Sequence, residues 1–445
     1  MSPTFRSLAI RNYRIYAAGA LISNVGTWMQ RVAQDWLVLQ LTDNSGTALG
    51  ITTGLQLLPA LLMSPYAGLV ADRFPKRTVL SVTQIAMALP AALLGVLAIT
   101  GVAVPWHVYV LAFTFGVATA FDAPARQSFV VEMVGPDDLS NAVGLNSASF
   151  NSGRMIGPAV AGVMIAALGS GAAATGWVIV INALSYLAVL YSLRILDTRE
   201  LHPSEPADRA KGAVRDGIRY VRSRPDLMLL LATVFFVGTF GMNFQMTSAL
   251  MATEVFDKGA GEYGLLGSIM AIGSLGGALL AARRPRPRQR LVVGSAVAFA
   301  IVEVAAGLMP TYLTFAVILP LLGLTALTMV TSANATIQLS VDPQMRGRVS
   351  ALYLMIFLGG TPLGAPFIGW IGEVFGARWT LIAGGLITLV GTLLAIALFT
   401  RHTGLVVRPK FGRRPTWVVA SRADIIRARV REQEVRAAAN DAASN

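Results

Sequence analysis

The sequence predicts an all-α membrane protein whose chain crosses the bilayer twelve times, in two six-helix halves that repeat one another. Of its 445 residues, 54% are hydrophobic and only 13% are charged, whereas about 25% of the residues of a soluble domain carry charge. Apolar runs long enough to cross a membrane recur along the chain, and one glycine pattern occurs once in each half.

Twelve apolar runs define the predicted membrane spans. A helix needs about 20 apolar residues to cross the hydrocarbon core, whereas the strands of a membrane barrel alternate over roughly ten residues. The runs are continuous, so we predict helices and number them as spans 1 to 12. They lie at residues 15–40, 47–71, 78–100, 105–126, 140–168, 173–194, 227–251, 262–282, 291–309, 312–336, 347–371 and 378–400.

A polar gap between spans 6 and 7 divides the chain. We expect an N-terminal six-helix half at 1–195, a cytoplasmic linker at 196–226, a C-terminal six-helix half at 227–400 and a basic cytoplasmic tail at 401–445. The stretch "RDGIRYVRSRPDL" in the linker is amphipathic, which suits a helix on the inner lipid surface. A solvated linker helix is the alternative. The tail segment "RADIIRARVREQEVRAAA" predicts a further surface helix.

The two halves share a glycine pattern with the spacing G-x3-G-x4-G. The offset between the two copies is 207 residues, and the same offset relates the loop "VGPDDLSNA" to the loop "VDPQMRGRVSA". A shared offset indicates duplicated halves, and parallel repeats of this kind place a substrate site near mid-membrane between the halves. The glycines are Gly153, Gly157 and Gly162 in the first copy and Gly360, Gly364 and Gly369 in the second.

Basic residues are distributed unevenly between the predicted loops. The formal net charge is +13, and if both termini are cytoplasmic, 31 of the 36 Lys and Arg residues fall in internal segments. The external loops then hold only Lys258 and Arg378. This asymmetry follows the positive-inside rule and predicts that both termini are cytoplasmic. We therefore attribute the basicity to topology and expect no nucleic-acid partner.

Several classes of chemistry are excluded by residues that the sequence lacks. It has no cysteine, and His107, His202 and His402 lie in different loops, so we expect no metal and no disulfide. No phosphate-binding loop motif and no nucleophile–base pattern is present. We expect no cofactor and no enzymatic activity, and we do not interpret the N-terminus as a cleaved signal peptide.

A charged knot, "GLVADRFPKRTVL", interrupts the apolar chain between spans 2 and 3. It resembles the signature G-x-x-x-D-R-x-G-R-R/K of the major facilitator superfamily, with a proline in place of the second glycine. The resemblance implies the major facilitator fold of twelve helices and a cytoplasmic gate formed by the knot. The matching residues are Gly68, Asp72, Arg73, Lys76 and Arg77.

The gate hypothesis predicts two contacts. When the cytoplasmic side is closed, Asp72 should lie near residues 346–350 at the start of span 11, because an acid is stabilised at a helix N-terminus. Arg77 should pair with Glu132 at the cytoplasmic end of span 4. The alternative is that the bases of the knot only maintain topology, which would leave Asp72 unexplained.

The first glycine copy, "GRMIGPAVAG", resembles the antiporter motif G-x3-G-P-x2-G-G of the same superfamily. It implies an exporter more often than an importer. Glycines allow close helix packing and a proline kinks a helix, and ordinary small-residue packing is the alternative. The residues are Gly153, Gly157, Pro158 and Gly162.

Ionisable residues within the spans are candidates for proton coupling, because charge is costly in a membrane. Arg31 and Asp35 in span 1 are four residues apart and able to pair, as are Asp122 and Arg126 in span 4; static ion pairs are the alternative. In the superfamily that the chain resembles, spans 1, 4, 7 and 10 line the cavity, which favours Asp35 over Glu303 in span 9. The proton-coupling candidates are Asp35, Arg31, Asp122 and Arg154.

Spans 1 and 7 also supply polar and aromatic side chains for a substrate cavity. Adaptable apolar residues surround the polar ones in "FGMNFQMTS" of span 7, and simple packing is the alternative. The cavity candidates are Trp28, Gln34, Asn243 and Gln245. The arginine that proton antiporters of the superfamily carry in span 4 is absent before Gly116, so Arg31 or Arg154 would have to replace it.

Three further stretches, "SNVGTWMQRVAQDWLVLQLT", "FDAPARQSFV" and "GPDDLSNA", resemble a bacterial subfamily that includes the enterobactin exporter and macrolide efflux proteins. The resemblance implies twelve helices and export, without a particular cargo. We expect a monomeric secondary active exporter of small organic molecules (a drug, siderophore or other natural product) in the bacterial plasma membrane, driven by proton antiport. The alternatives are an importer or facilitator of a small solute and, in a different class, a membrane-embedded receptor or enzyme.

Overall fold

The computed structural model describes residues 3–202, 213–282, 289–403, 405–410 and 416–421. These residues form a bundle of long helices. The helices are α1 Arg11–Leu41, α2 Gly46–Arg73, α3 Lys76–Ile99, α4 Pro105–Ala167, α5 Ala172–Ile195, α6 Ala213–Arg222, α7 Pro225–Phe236, α8 Phe244–Leu250, α9 Ala260–Ala282, α10 Gln289–Gly307, α11 Tyr312–Ser340, α12 Arg346–Gly359, α13 Thr361–Phe375 and α14 Arg378–Thr403.

The described part of the chain contains a helical segment for each of the twelve predicted spans. Ten segments are long and apolar enough to cross a membrane. The other two are α1, which carries buried polar and charged side chains, and the second part of α4. Helix α4 covers spans 4 and 5 and turns between them at Gly135, whose φ of 67° and ψ of 179° are not helical. Glycine adopts a positive φ without steric cost.

Spans 7 and 11 are each interrupted within the membrane. Span 7 consists of α7 and α8, followed in each case by a π-helical turn, Val237–Gly241 and Met251–Val255. Span 11 consists of α12 and α13, which meet at Gly360. A Cβ atom at Gly364 would overlap the carbonyl oxygen of Thr239, so the interruptions of the two spans pack directly on each other. Irregular turns of this kind frequently occur at functional sites.

The two ends of the bundle carry different side chains. We call the end with loops 42–45 and 376–377 the outer end, and the end with loops 74–75 and 341–345 the inner end. Four half-exposed tryptophans lie at the outer end, where indole rings favour a membrane–water interface. They are Trp106, Trp177, Trp370 and Trp379.

The predicted halves are in close contact at the outer end, through the pairs α2–α13 and α4–α9. A Cβ atom at Gly46 would lie 2.7 Å from the carbonyl oxygen of Gly369. A Cβ atom at Gly162 would lie 2.5 Å from the carbonyl oxygen of Ala260 and 3.1 Å from the Cα atom of Gly264. Because these glycines have no side chains, the backbones touch. We use the name outer closure for all contacts between the predicted halves at this end of the bundle.

Toward the inner end, large side chains of α2 and α4 are exposed. Along α2, the close contact with span 11 reaches Leu61, which packs against Gly359. Beyond it Tyr66 is 67% exposed, and on the facing part of α4 Phe150 is 50% exposed. We infer that the space between the predicted halves opens at the inner end.

The linker contains a helix where one was predicted, and the tail contains two strands. Helix α6 packs on the start of span 11, where Asp216 lies 3.5 Å from Arg348 and the hydroxyl of Tyr220 donates to Asp342 at 3.0 Å. In the tail, strands Leu405–Lys410 and Thr416–Ser421 form an antiparallel pair that the sequence did not predict. The predicted tail helix at 422–439 lies outside the described residues, as do the basic residues 283–288.

Candidate functional site

An aromatic and cationic site lies between α1 and α4. The guanidinium carbons of Arg31 and Arg154 lie 4.8 Å and 5.7 Å from the ring centroid of Trp28. The ring of Phe150 meets the same indole edge-on, with the centroids 5.6 Å apart. The two helices come this close because position 157 is glycine: a Cβ atom there would lie 2.6 Å from the Cβ atom of Trp28. Two cations therefore contact one indole ring, and we call this group the Trp28 site.

Two of the four cavity candidates belong to this site. Trp28 is its centre, and Gln245 accepts a hydrogen bond of 3.5 Å from Arg31. Gln34 is buried and donates to Gln56 at 3.3 Å. Asn243 donates at 3.0 Å and 3.2 Å to backbone carbonyls of the π-helical turn after α7, so its amide serves that turn. A role of these residues in substrate binding stays a prediction.

Asp35 lies in the outer closure. Its carboxyl group is buried and accepts a hydrogen bond of 2.9 Å from the hydroxyl of Tyr263 on α9. Trp36 stacks on the same tyrosine, with the ring centroids 6.4 Å apart. A proton-coupling candidate of the N-terminal half is therefore held by a residue of the C-terminal half.

The expected Arg31–Asp35 ion pair is absent, although the structure describes both side chains. Tyr263 holds the carboxyl toward α9, and Arg31 is directed toward Trp28 and Gln245. Spacing of four residues puts two side chains on one face of a helix but does not oblige them to meet. In this case, partners from other helices decide the orientation of both.

Asp122 and Arg126 form a complete ion pair inside the N-terminal half. Arg126 donates to one carboxyl oxygen of Asp122 at 2.6 Å and 2.9 Å. Thr83 and Gln84 of α3 donate to the other oxygen at 2.9 Å and 2.8 Å. A carboxylate with four donors has no unused acceptor for a cargo or a moving proton, so the geometry favours the static alternative.

We expect Asp122→Leu to destabilise the protein strongly, because it leaves Arg126 buried without its partner. Removing one member of a buried ion pair costs about 3–5 kcal/mol. Thermal melting of the purified protein should show a clear decrease, and the double variant Asp122→Leu/Arg126→Leu should recover part of it. Equal melting temperatures for wild type and Asp122→Leu would contradict a structural role.

Glu303 of α10 is completely buried, and neither of its carboxyl oxygens has a hydrogen-bond partner among the described residues. Its oxygens lie 3.1 Å from a Cβ position built at Gly241 and 3.3 Å from one built at Gly384. The side chain therefore fills a gap against the first π-helical turn and α14. This position is distinct from the Trp28 site, which is formed by α1 and α4.

The charged knot lies at the inner end, and its contacts differ in part from the prediction. Lys76 pairs with Glu132 at 2.9 Å, whereas Arg77 donates to the backbone carbonyl of Arg194 at 3.2 Å. The prediction of Arg77 as the partner of Glu132 was wrong. Consecutive residues point about 100° apart around a helix, and here the first residue of α3 faces α4. The expected contact of Asp72 concerns a closed inner end and stays a prediction.

The antiporter-motif residues serve two different contacts. Gly153 and Gly157 pack against the backbone of α1, while Pro158 and Gly162 pack across the outer closure against Gly264 of α9. The motif therefore lies on one surface of α4 that contacts both α1 of the same half and α9 of the other half.

Glu373 is a member of the outer closure that the sequence did not predict. Glu373 of α13 accepts hydrogen bonds from the hydroxyl of Ser45 at 2.7 Å and from the backbone N–H of Thr47 at 3.1 Å. A serine at the N-cap of α2 is recognisable from sequence. Its partner 328 residues later is not.

Solved structures of several transporters share this architecture. A bacterial homologue of the human lysosomal transporter Spinster, in an inward-facing and occupied conformation, matches with a TM-score of 0.66 at 18% identity, covering 90% of this chain and 98% of that one. A bacterial homologue of the iron transporter ferroportin also gives 0.66, at 14% identity, covering 88% and 98%. The fold is that of a major facilitator transporter, as the charged knot predicted.

Sequence comparison narrows this class to one family. The chain belongs to the transmembrane secretion effector family of the major facilitator superfamily, whose model matches residues 2–406. The prediction of a multi-pass membrane transporter rather than an enzyme is therefore confirmed.

Relatives in this family have several cargoes. The chain is 24% identical over 393 residues to the staphyloferrin A transporter of Staphylococcus aureus, covering 86% of this chain and 94% of the relative. It is 27% identical over 389 residues to the multidrug efflux pump Tap of Mycolicibacterium fortuitum, covering 85% and 93%. Macrolide efflux protein A of Streptococcus pyogenes is 22% identical over 404 residues, covering 87% and 95%.

Proposed function

We propose that the protein is a secondary active exporter of small organic molecules, driven by proton antiport across a bacterial plasma membrane with both termini cytoplasmic. The observation that carries this proposal is the position of Asp35. Its buried carboxyl group spans the junction of the two predicted halves through its hydrogen bond to Tyr263. A carboxyl group placed there changes its surroundings whenever the outer closure opens.

The contacts suggest the order of events. With the outer end closed and the inner end open, a cargo enters from the cytoplasm and reaches the Trp28 site. Rocking of the halves then separates α1 from α9, so Asp35 loses Tyr263 and faces the external solution. A proton taken up there returns to the cytoplasm when the outer closure re-forms.

Export rather than import is supported by the antiporter motif and by the relatives, two of which are named as efflux proteins. The positive-inside distribution of charge supports the orientation. The alternative within transport is an importer or facilitator of a small solute. It would use the same outer closure, but the gradient would drive the solute inward. A receptor or a membrane-embedded enzyme would need no cargo movement at all.

We expect Asp35→Asn to lose uphill export and to keep downhill exchange. An asparagine still accepts a hydrogen bond from Tyr263 through its amide oxygen, so the outer closure survives, but it cannot take up a proton. In everted vesicles, accumulation of staphyloferrin A or erythromycin should fail while counterflow of the labelled compound continues. Proton release caused by the cargo, followed with a pH-sensitive dye, should disappear.

Glu303→Gln is the control, because this buried carboxyl lies apart from the Trp28 site and should not affect coupling. Proton release by Asp35→Asn at the wild-type level would make Asp35 a structural partner of Tyr263 and overturn the coupling proposal. Failure of wild type to give counterflow with either compound would instead argue against these two cargo classes. Uptake in right-side-out vesicles under the same gradient would identify the importer.

A further inference from the structure

Within the described part of the chain, the two arginines of the Trp28 site have no anionic partner. Among the described residues, no carboxylate lies within 4.0 Å of either Arg31 or Arg154, and Arg154 donates no hydrogen bond. Other bases in the described ranges have such partners, as in the pairs of Arg126 with Asp122 and of Lys76 with Glu132. The acid nearest along the chain, Asp35, is held by Tyr263.

Two unpaired cations this close are costly within a membrane. Contact with an indole ring offsets about 0.5–2 kcal/mol per cation, but it adds no negative charge, and the two guanidinium groups repel each other. An arrangement that is unfavourable when empty becomes favourable when a bound anion supplies the missing charge. The same logic explains why membrane-buried arginines mark ligand pathways.

The surrounding groups further define the ligand. Guanidinium groups present a planar set of donors that matches a carboxylate with two parallel hydrogen bonds. Trp28 and Phe150 add flat apolar surfaces. Trp28, Arg31 and Arg154 are partly exposed, and Phe150 is exposed.

We propose that the Trp28 site binds organic anions, with a carboxylate held by Arg31 and Arg154 and an aromatic or other flat apolar group packed on Trp28 and Phe150. The inference rests on the proposed function, since it names the substrate class of the same exporter. A cation with the same skeleton is rejected by charge, and a neutral analogue binds without a charge-assisted, two-oxygen contact to the guanidinium groups.

The Trp28 site also contributes to the contact between the halves, through Arg31. Arg31 reaches Gln245 of α8 at 3.5 Å, which is at the long limit for a hydrogen bond. A carboxylate is a stronger acceptor than an amide oxygen. Binding of an anion therefore draws Arg31 from Gln245 and weakens one of the contacts that join α1 to span 7.

The test uses the purified full-length protein in lipid nanodiscs without a proton gradient, with calorimetric titration of three probes that share one ring system: 2-naphthoate, 2-naphthamide and 2-naphthylmethylammonium. We expect naphthoate to bind wild type at least roughly tenfold more tightly than naphthamide, and the ammonium probe not to bind. Arg31→Gln and Arg154→Gln should each weaken naphthoate binding roughly tenfold or more, the scale of one charge-assisted contact, with little effect on naphthamide.

Arg401→Gln, an exposed arginine at the end of α14, is the matched control and should bind naphthoate as wild type does. If a glutamine variant melts at a lower temperature than wild type, Arg154→Lys is tested in its place. Lysine keeps the positive charge but lacks the planar set of donors of a guanidinium group, so this variant should bind naphthoate more weakly than wild type does. Equal affinity of wild type for naphthoate and naphthamide, an unchanged affinity in Arg154→Gln, or no naphthoate binding at millimolar concentration would overturn the proposal. These titrations involve no transport, so they test the anion site separately from the antiport. If vesicles show no proton coupling while naphthoate still binds, the proposed antiport is refuted and the anion-site proposal is unaffected.

Discussion

A reducible cross-link between positions 45 and 373 is expected to stop transport. In a Ser45→Cys/Glu373→Cys variant, a short bifunctional thiol reagent would join α2 to α13 at the outer end, where the native side chains meet at 2.7 Å. Alternating access requires these helices to separate, so cargo flux in vesicles should decrease roughly tenfold or more. Reduction of the link should restore the flux of the untreated variant.

The chain suits this experiment because it contains no cysteine of its own. The same reagent on Ser45→Cys alone is the control and should leave transport unchanged, since one thiol cannot bridge the helices. Full transport by a variant whose cross-link is demonstrated by peptide mapping would mean that the outer closure does not open during the cycle.

Gly157→Leu is expected to abolish transport while the protein remains in the membrane. A Cβ atom at this position would lie 2.6 Å from the Cβ atom of Trp28, 2.9 Å from the carbonyl oxygen of Val25 and 3.1 Å from the backbone nitrogen of Met29. Two of these atoms belong to the backbone, so a larger residue must push α4 away from α1. That displacement separates Trp28 from Arg154 and disrupts the proposed cargo site.

Gly144→Leu is the matched control on the same helix. A Cβ atom at Gly144 meets nothing within 4 Å, so the leucine should be tolerated. Both variants should be compared for amount in the membrane fraction, for melting temperature and for cargo flux. Wild-type flux by a well-expressed Gly157→Leu would show that the motif is ordinary small-residue packing without a specific role in transport.

Features that depend on the membrane itself could be predicted from the sequence. The thickness of the hydrocarbon core determines the length of each apolar run, and the repeat of glycines 207 residues apart predicted two related halves. Close backbone contact at Gly157 and Gly162 was also predictable, because a helix surface without side chains has no other common use in lipid.

The specific side-chain contacts could not be predicted in the same way. Tyr263 lies 228 residues from Asp35, and nothing local relates the two. At Lys76 and Arg77 the sequence offers two adjacent bases, and only the direction in which α3 leaves the turn decides which one meets Glu132. The interruptions of spans 7 and 11 pack on each other. The apolar composition of each span, by contrast, predicts a continuous helix.

The outer closure also determines how finely the two states of the transporter are balanced. Its glycine contacts contribute dispersion alone, which water or lipid largely replaces on opening. In the described ranges, four hydrogen bonds join the halves, at about 0.5–1.5 kcal/mol each, or about 2–6 kcal/mol together. They are Arg31–Gln245, Asp35–Tyr263, Ser45–Glu373 and Thr47–Glu373.

One charge crossing a potential of 100 mV releases about 2.3 kcal/mol, which lies within the same range. A single proton therefore releases a free energy comparable with that of the four hydrogen bonds between the halves. Each 1.4 kcal/mol gained or lost by substitution should change the ratio of the states about tenfold.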